Sequence, residues 1–104
     1  MSIKAICFSI LVFVTFACEK KEEAPLPVVN FLVDIQLCNG SVCVVRFVDN
    51  SENTTAWTWI INNEEVSNSQ NFVQSLSPGQ QYLVELKGQN SDGVEASKSK
   101  YVNL

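Results

Sequence analysis

The sequence predicts an all-β chain, an antiparallel sandwich of seven short strands behind an N-terminal signal peptide. Three observations carry that expectation. Tyr82, Val84 and Leu86 alternate with Leu83, Glu85 and Lys87, the period of a strand with one face on a core. Turn signals at Asn39-Gly40, Asn62-Asn63, Pro78-Gly79 and Asn90 to Gly93 separate the apolar runs. Beyond residues 1–17, no segment shows helical periodicity, an internal repeat or low complexity.

The chain starts with one cation, Lys4, and then an apolar run from Ala5 to Ala17. That run is too short for the roughly 20 residues a membrane-spanning helix needs, and it fits the apolar region of a secretory signal. It ends Val14-Thr15-Phe16-Ala17-Cys18, with Glu19-Lys-Lys-Glu-Glu23 directly after. A Cys behind a small residue here resembles a bacterial lipoprotein lipobox, with Thr15 in place of the usual Leu and Phe16 bulkier than usual. The resemblance implies that residues 1–17 are removed and that Cys18 carries a diacylglyceryl thioether and an acylated amine. The palmitate-like chains, at about 0.8 kcal/mol per buried CH2, hold a protein on a membrane without a spanning helix. The plain alternative is an ordinary secretory signal with Cys18 a bystander. The charged run resembles export tags of surface lipoproteins, and reads equally as a solvated tether over residues 18–27, stiffened by Pro25 and Pro27. The expected location is the bacterial outer membrane, with the membrane face open.

The 104 residues leave room for one domain, residues 28–104. A domain this small buries about 60–65% of its unfolded surface and is marginal without help. The formal charge is −4, and losing Lys4 makes it more negative still. An acidic chain with one Arg argues against nucleic acid and against electrostatic docking on anionic lipid. It has no His, hence neither the commonest general base nor the commonest metal ligand.

The first strand spans Val28 to Leu37, with Val29, Phe31, Val33, Ile35 and Leu37 expected inward. Asn39-Gly40 is a strong hairpin signal and leads into a strand over Val44 to Asp49, with Val45 and Phe47 inward. After a polar loop, Ala56 to Ile61 places Trp57, Trp59 and Ile61 on one face. Asn62-Asn63 turns into a short return strand from Glu64 to Val66. Asn71 to Leu76 follows, anchored by Phe72 and Leu76, then Tyr82 to Gly88. The last strand runs from about Val94 to the end. Seven such strands with turns every 8–12 residues describe an immunoglobulin-like sandwich. The expected core is Phe47, Trp57, Trp59, Tyr82, Val84 and Leu86.

Pro27 to Phe31, Val45 to Ser51, Trp57-Thr-Trp59, Pro78-Gly79 before Tyr82 to Leu86, and Asn90 to Gly93 together resemble a PKD domain. The resemblance covers about residues 27–104 and implies a seven-stranded sandwich common in extracellular proteins. That family's Trp-Asp-Phe-Gly-Asp-Gly motif is reduced here to Trp59-Ile-Ile61-Asn-Asn-Glu64. Leu76-x-Pro78-x-x-x-Tyr82 is also similar to the tyrosine corner of fibronectin type III domains. Either likeness gives Tyr82 a packing role, its ring buried and its hydroxyl returned to backbone between Leu76 and Gly79.

Cys38 and Cys43 flank the first hairpin, and in a secreted chain they are expected to pair as a disulfide. That pairing sends the apolar faces of the two strands opposite ways unless a bulge intervenes. Two soft ligands without His do not make a metal site, and the spacing is not the redox Cys-x-x-Cys. The loops at Asp49 to Asn53 and Asn90 to Asp92 offer oxygen ligands suited to calcium but lack an Asp-x-Asp-x-Asp-Gly pattern, so they read as solvated. Trp57 and Trp59 could stack a sugar, but sharing a face with Ile61 makes them core. Glu64 and Glu65 are adjacent, so on a strand their carboxylates point to opposite faces and cannot work on one bond. There is no nucleophile elbow and no phosphate loop.

No enzyme, cofactor or metal is expected. The expected function is a monomeric, lipid-anchored binding module for an unknown protein or glycan. The alternative is a structural spacer or accessory subunit of an outer-membrane complex, such as a nutrient-uptake system. Candidate binding turns, at the end away from the tether, are Asn39, Gly40 and Ser41 with Asn62, Asn63 and Glu64, in a far end that spans Asn39 to Ser41, Asn62 to Glu65 and Ser77 to Gln80. An exposed aromatic or apolar patch favours the binder, and a uniformly polar surface favours the spacer.

Overall fold

The computed structural model describes residues 22–104. The leader, the acylation candidate Cys18 and residues 19–21 lie outside the described residues. Seven strands form: β1 Phe31–Cys38, β2 Cys43–Asp49, β3 Ala56–Ile61, β4 Glu64–Ser67, β5 Asn71–Leu76, β6 Gln81–Gln89 and β7 Glu95–Asn103. They make two antiparallel sheets, ordered β1-β2-β5 and β4-β3-β6-β7. None of the described residues is helical.

Every expected strand is present, and the differences lie at the edges. The first strand starts at Phe31, while Val28 makes an isolated bridge to Glu52. β1 and β2 keep register from Phe31↔Asp49 to Ile35↔Val45, then shift to Leu37↔Val44 and Cys38↔Cys43. Gln36 is the extra residue of a bulge, which lets the Cys38–Cys43 disulfide form without turning the sandwich inside out. The bulge also corrects the expected inward face. Leu37 lies opposite the outward Val44 and is 53% exposed. Ile35 stays in register with buried Val45, yet β1 is an edge strand and leaves it 48% exposed.

The core is an aromatic cluster between the sheets. Phe31 meets Trp59 edge-on at 5.2 Å between ring centroids, and Phe72 stacks on Phe47 at 5.0 Å. Trp59 also touches Phe47 and Phe72, so one indole from the four-stranded sheet is ringed by three Phe from the other. Edge-to-face and offset pairs of this kind add about 0.5–1.5 kcal/mol each beyond area burial. With Phe31, Phe47 and Trp59, the residues Val84, Leu86, Val45 and Cys43 make the fully buried set. Burial leaves the Trp59 indole N–H needing a partner, and it donates to the Ser69 carbonyl at 2.8 Å.

The two far turns follow their sequences. Asn62 and Asn63 both have positive φ, 51° and 68°, as a two-residue hairpin turn of the primed kind requires. At the corner before β6, the Tyr82 hydroxyl donates to the Ser77 carbonyl at 3.0 Å and accepts from the Ser77 amide at 2.9 Å. The expected return of that hydroxyl to the Leu76–Gly79 backbone is met on both its donor and acceptor sides.

Candidate functional site

The loops weighed as calcium ligands hold the chain itself. Asn90 is 5% exposed, and its Oδ1 accepts from the Asp92 and Val94 amides. Its Nδ2 donates to the Pro25 carbonyl at 3.0 Å. The Ala24 amide donates to Asp92 Oδ2 at 2.9 Å, and Asn53 Nδ2 donates to the Leu26 carbonyl at 3.1 Å. Val28 and Glu52 exchange two backbone hydrogen bonds. From Ala24 onward, the segment read as tether is therefore a strap across the β2–β3 and β6–β7 loops, and Pro27 is buried. Reading those loops as solvated missed this, because nothing local in Asn90-Ser-Asp-Gly93 names a partner 65 residues away. Among the described residues, no group of three or more acidic or thiol side chains is placed to hold a metal.

The far turns spend their polar groups on their own shape. Asn39 Oδ1 accepts from the Ser41 and Val42 amides, and Asn62 Oδ1 accepts from the Leu83 amide. Asn39, Gly40, Ser41, Asn62, Asn63 and Glu64 are all exposed. β1 and β3 both run from the strap end, so these turns share the opposite end of the sandwich.

Trp59 is wholly buried, but Trp57 is half-buried and packs only on the core's margin. Trp57 lies opposite Gly88 near the strap end. Its indole N–H is buried without a hydrogen-bond partner.

The two outer faces differ. On the four-stranded sheet, Thr58, Lys87, Gln89 and Glu95 border an open depression of about 600 Å³, with Asn68 and Thr55 on its rim. Asn68 Nδ2 bonds to the Trp57 carbonyl and to Thr58 Oγ1, which fixes that rim. Lys87 and Glu95 pair at 3.9 Å, with both side chains nearly half exposed. Farther along the same face, Tyr101 lies across from Leu83 and is 66% exposed. On the three-stranded sheet, the outward side chains are Leu32, Asp34, Leu37, Val44, Arg46, Val48, Asn71, Val73 and Ser75, by alternation with buried Phe31, Val45 and Phe47.

Between the edge strands β1 and β7 lies a groove of about 470 Å³ lined by Leu32, Ile35 and Tyr101. Lys100 crosses it, donating to the Phe31 carbonyl with its ammonium 4.7 Å from the Phe31 ring centre. An inward-pointing charge of this kind blocks strand addition at an open edge.

The sequence matches no family profile and no curated protein. The fold does match solved structures. The PKD1 domain of Vibrio anguillarum Epp superposes with a TM-score of 0.64 at 21% identity, over 79% of this chain and 96% of that one. The PKD1 domain of the Vibrio cholerae metalloprotease PrtV gives 0.58 at 15% identity, over 77% and 98%. This chain has the fold of a PKD domain.

Within the PKD-like fold, the reduced motif keeps its structural half. Trp59 and Ile61 are both buried, and Asn62-Asn63 closes the turn directly after them with positive φ. The PKD-like sandwich also explains why the strap forms. The first strand begins at the end that carries the β2–β3 and β6–β7 loops, so the preceding residues must pass between them.

Proposed function

We propose that this protein is a non-catalytic binding module, held on the outer membrane by acylation of Cys18, that captures a protein or glycan ligand on the outer face of its four-stranded sheet. One observation carries the reading: a two-thirds exposed tyrosine, Tyr101, shares that face with the open depression at Thr58, Lys87, Gln89 and Glu95. An exposed aromatic sharing one face with a cluster of hydroxyl, amide and charged groups is surface chemistry suited to recognition. A purely spacing domain has no use for it. Glu95 at the depression is paired with Lys87, and around them the lining offers hydroxyl, amide and indole groups, a set that supports binding.

The reading is tested in two steps. Labelling cells with a palmitate analogue should tag the wild type and not Cys18→Ala, which should leave the membrane fraction. Affinity capture from membrane extracts should then recover a partner that Tyr101→Ala and Gln89→Ala lose. Capture unchanged in both variants removes this face from the reading. Loss instead in variants of Asn39 to Ser41 or Asn62 to Glu64 moves the contact to the far turns.

A further inference from the structure

The domain has one acidic outer face and one neutral outer face rich in exposed aliphatic side chains, and the strap runs from the β6–β7 loop of the first toward the leading strand of the second. The four-stranded face carries Glu65, Glu85 and Glu95 against Lys87. The three-stranded face carries a single acid and a single base, Asp34 and Arg46, which are cross-strand neighbours. Around them Leu32, Leu37 and Val73 are 52%, 53% and 54% exposed.

From this asymmetry we propose that the outer face of the three-stranded sheet rests on the lipid bilayer, leaving the four-stranded face turned to solvent. The proposal rests on the reading that Cys18 is acylated. Three observations choose lipid as the occupant. The apolar stripe continues onto the strap: Val28 lies on the same side of the first strand as Leu32 by alternation, and both Val28 and Leu26 are exposed. The chain outside the described residues is short where it meets the strap. Ala24 is already fixed to Asp92, and the six residue steps back to Cys18 span at most about 20 Å. An acyl chain at Cys18 therefore keeps the bilayer within reach of Leu26, Val28 and Leu32.

The third is area. Strands of eight, seven and six residues about 4.8 Å apart present about 350 Å². A stable dimer needs about 800 Å² from each copy, so this face is too small to hold a second copy by itself. A surface already tethered nearby needs far less, because the anchor makes the second contact intramolecular. The contact is apolar rather than electrostatic, so the chain's overall acidity does not oppose it. The domain then lies on its side, with the far turns beside the membrane instead of above it.

The test uses the acylated full-length mature protein in phosphatidylethanolamine–phosphatidylglycerol vesicles, with a nitroxide on Val73→Cys or on Ser99→Cys of the opposite face. The Val73 label should be at least fivefold less accessible to an aqueous nickel chelate than the Ser99 label, and more accessible to oxygen. Circular dichroism checks that each variant keeps its strands. Equal accessibility in protein whose Cys18 is acylated by mass spectrometry overturns the docking and leaves the anchor standing. Unacylated Cys18 overturns both. Dipolar broadening between Val73 labels puts a second copy on the face and overturns the lipid assignment. A label shielded in whole cells but open in vesicles does the same in favour of a protein occupant.

Discussion

The side-chain amide of Asn90 donates to the Pro25 carbonyl at 3.0 Å across 65 residues of sequence. The same side chain closes its own turn by accepting from the Asp92 and Val94 amides. One buried group thus shapes the β6–β7 loop and ties the strap to it. Asn90→Ala should cost about 2–3 kcal/mol, since it strands buried partners as well as losing bonds. Asn90→Asp keeps the acceptor, loses the donor and should cost less. Urea denaturation gives the stabilities. Limited proteolysis should show cleavage near Ala24 to Leu26 rising in both variants, and equal cleavage in wild type would mean the strap is not held by Asn90.

The Tyr82 hydroxyl makes two bonds to one residue, Ser77. Tyr82→Phe keeps the ring in the core but leaves the Ser77 amide and carbonyl without that partner. The expected loss is about 1–2 kcal/mol, with little change in the denaturant slope because the fold stays intact. Chemical denaturation monitored by Trp fluorescence checks it. A loss under a few tenths would mean that water replaces the hydroxyl freely.

Most of the fold could be read from the residues because strand periodicity and turn chemistry are local. Tyr82 to Leu86 shows its inward face in five residues, and Asn62-Asn63 announces positive φ by residue type alone. The Cys38–Cys43 pairing was even informative about the bulge, since the disulfide and the inward face could not both hold in a regular ladder. What escaped was long-range. Ile35 looks like core by alternation, and only the position of β1 at a sheet edge decides otherwise, whereas the bulge turns Leu37 outward. Asn90 looks like an ordinary turn residue until Pro25 is placed beside it. The outer faces escaped for the same reason: Tyr101 and Thr58 are on strands far apart in sequence, and the sheet order puts them on one surface.

Gly88 marks the place where the strap end closes on the sheet. A Cβ there would lie 2.8 Å from Thr54 Cγ2 and 2.9 Å from Val29 Cγ2. Its φ is not in the left-handed region, so the requirement is space rather than backbone freedom. Gly88→Ala should therefore destabilise by about 1–3 kcal/mol through overpacking. Adding Thr54→Ser removes one of the crowding methyls and should recover part of that loss. Thermal melts of the single and double variants measure the coupling. Strict additivity would show that the crowding is relieved elsewhere.

The two half-cystines should respond unequally to substitution. Cys43 is wholly buried in the core while Cys38 is exposed on the edge strand. Losing the bond costs both variants the same small-loop entropy, at the low end of about 2–4 kcal/mol. Cys38→Ser then leaves a free buried thiol, which behaves as a small hydrophobe. Cys43→Ser instead buries a hydroxyl among Val45 and Leu76, where a missing partner costs about 1–3 kcal/mol more. The order of stability should be wild type, then Cys38→Ser, then Cys43→Ser, by urea midpoint. Reduction with dithiothreitol should lower the wild type to about the level of Cys38→Ser and leave both variants unchanged. If the two variants melt together, the burial difference carries no energy and the hairpin end is looser than its packing shows.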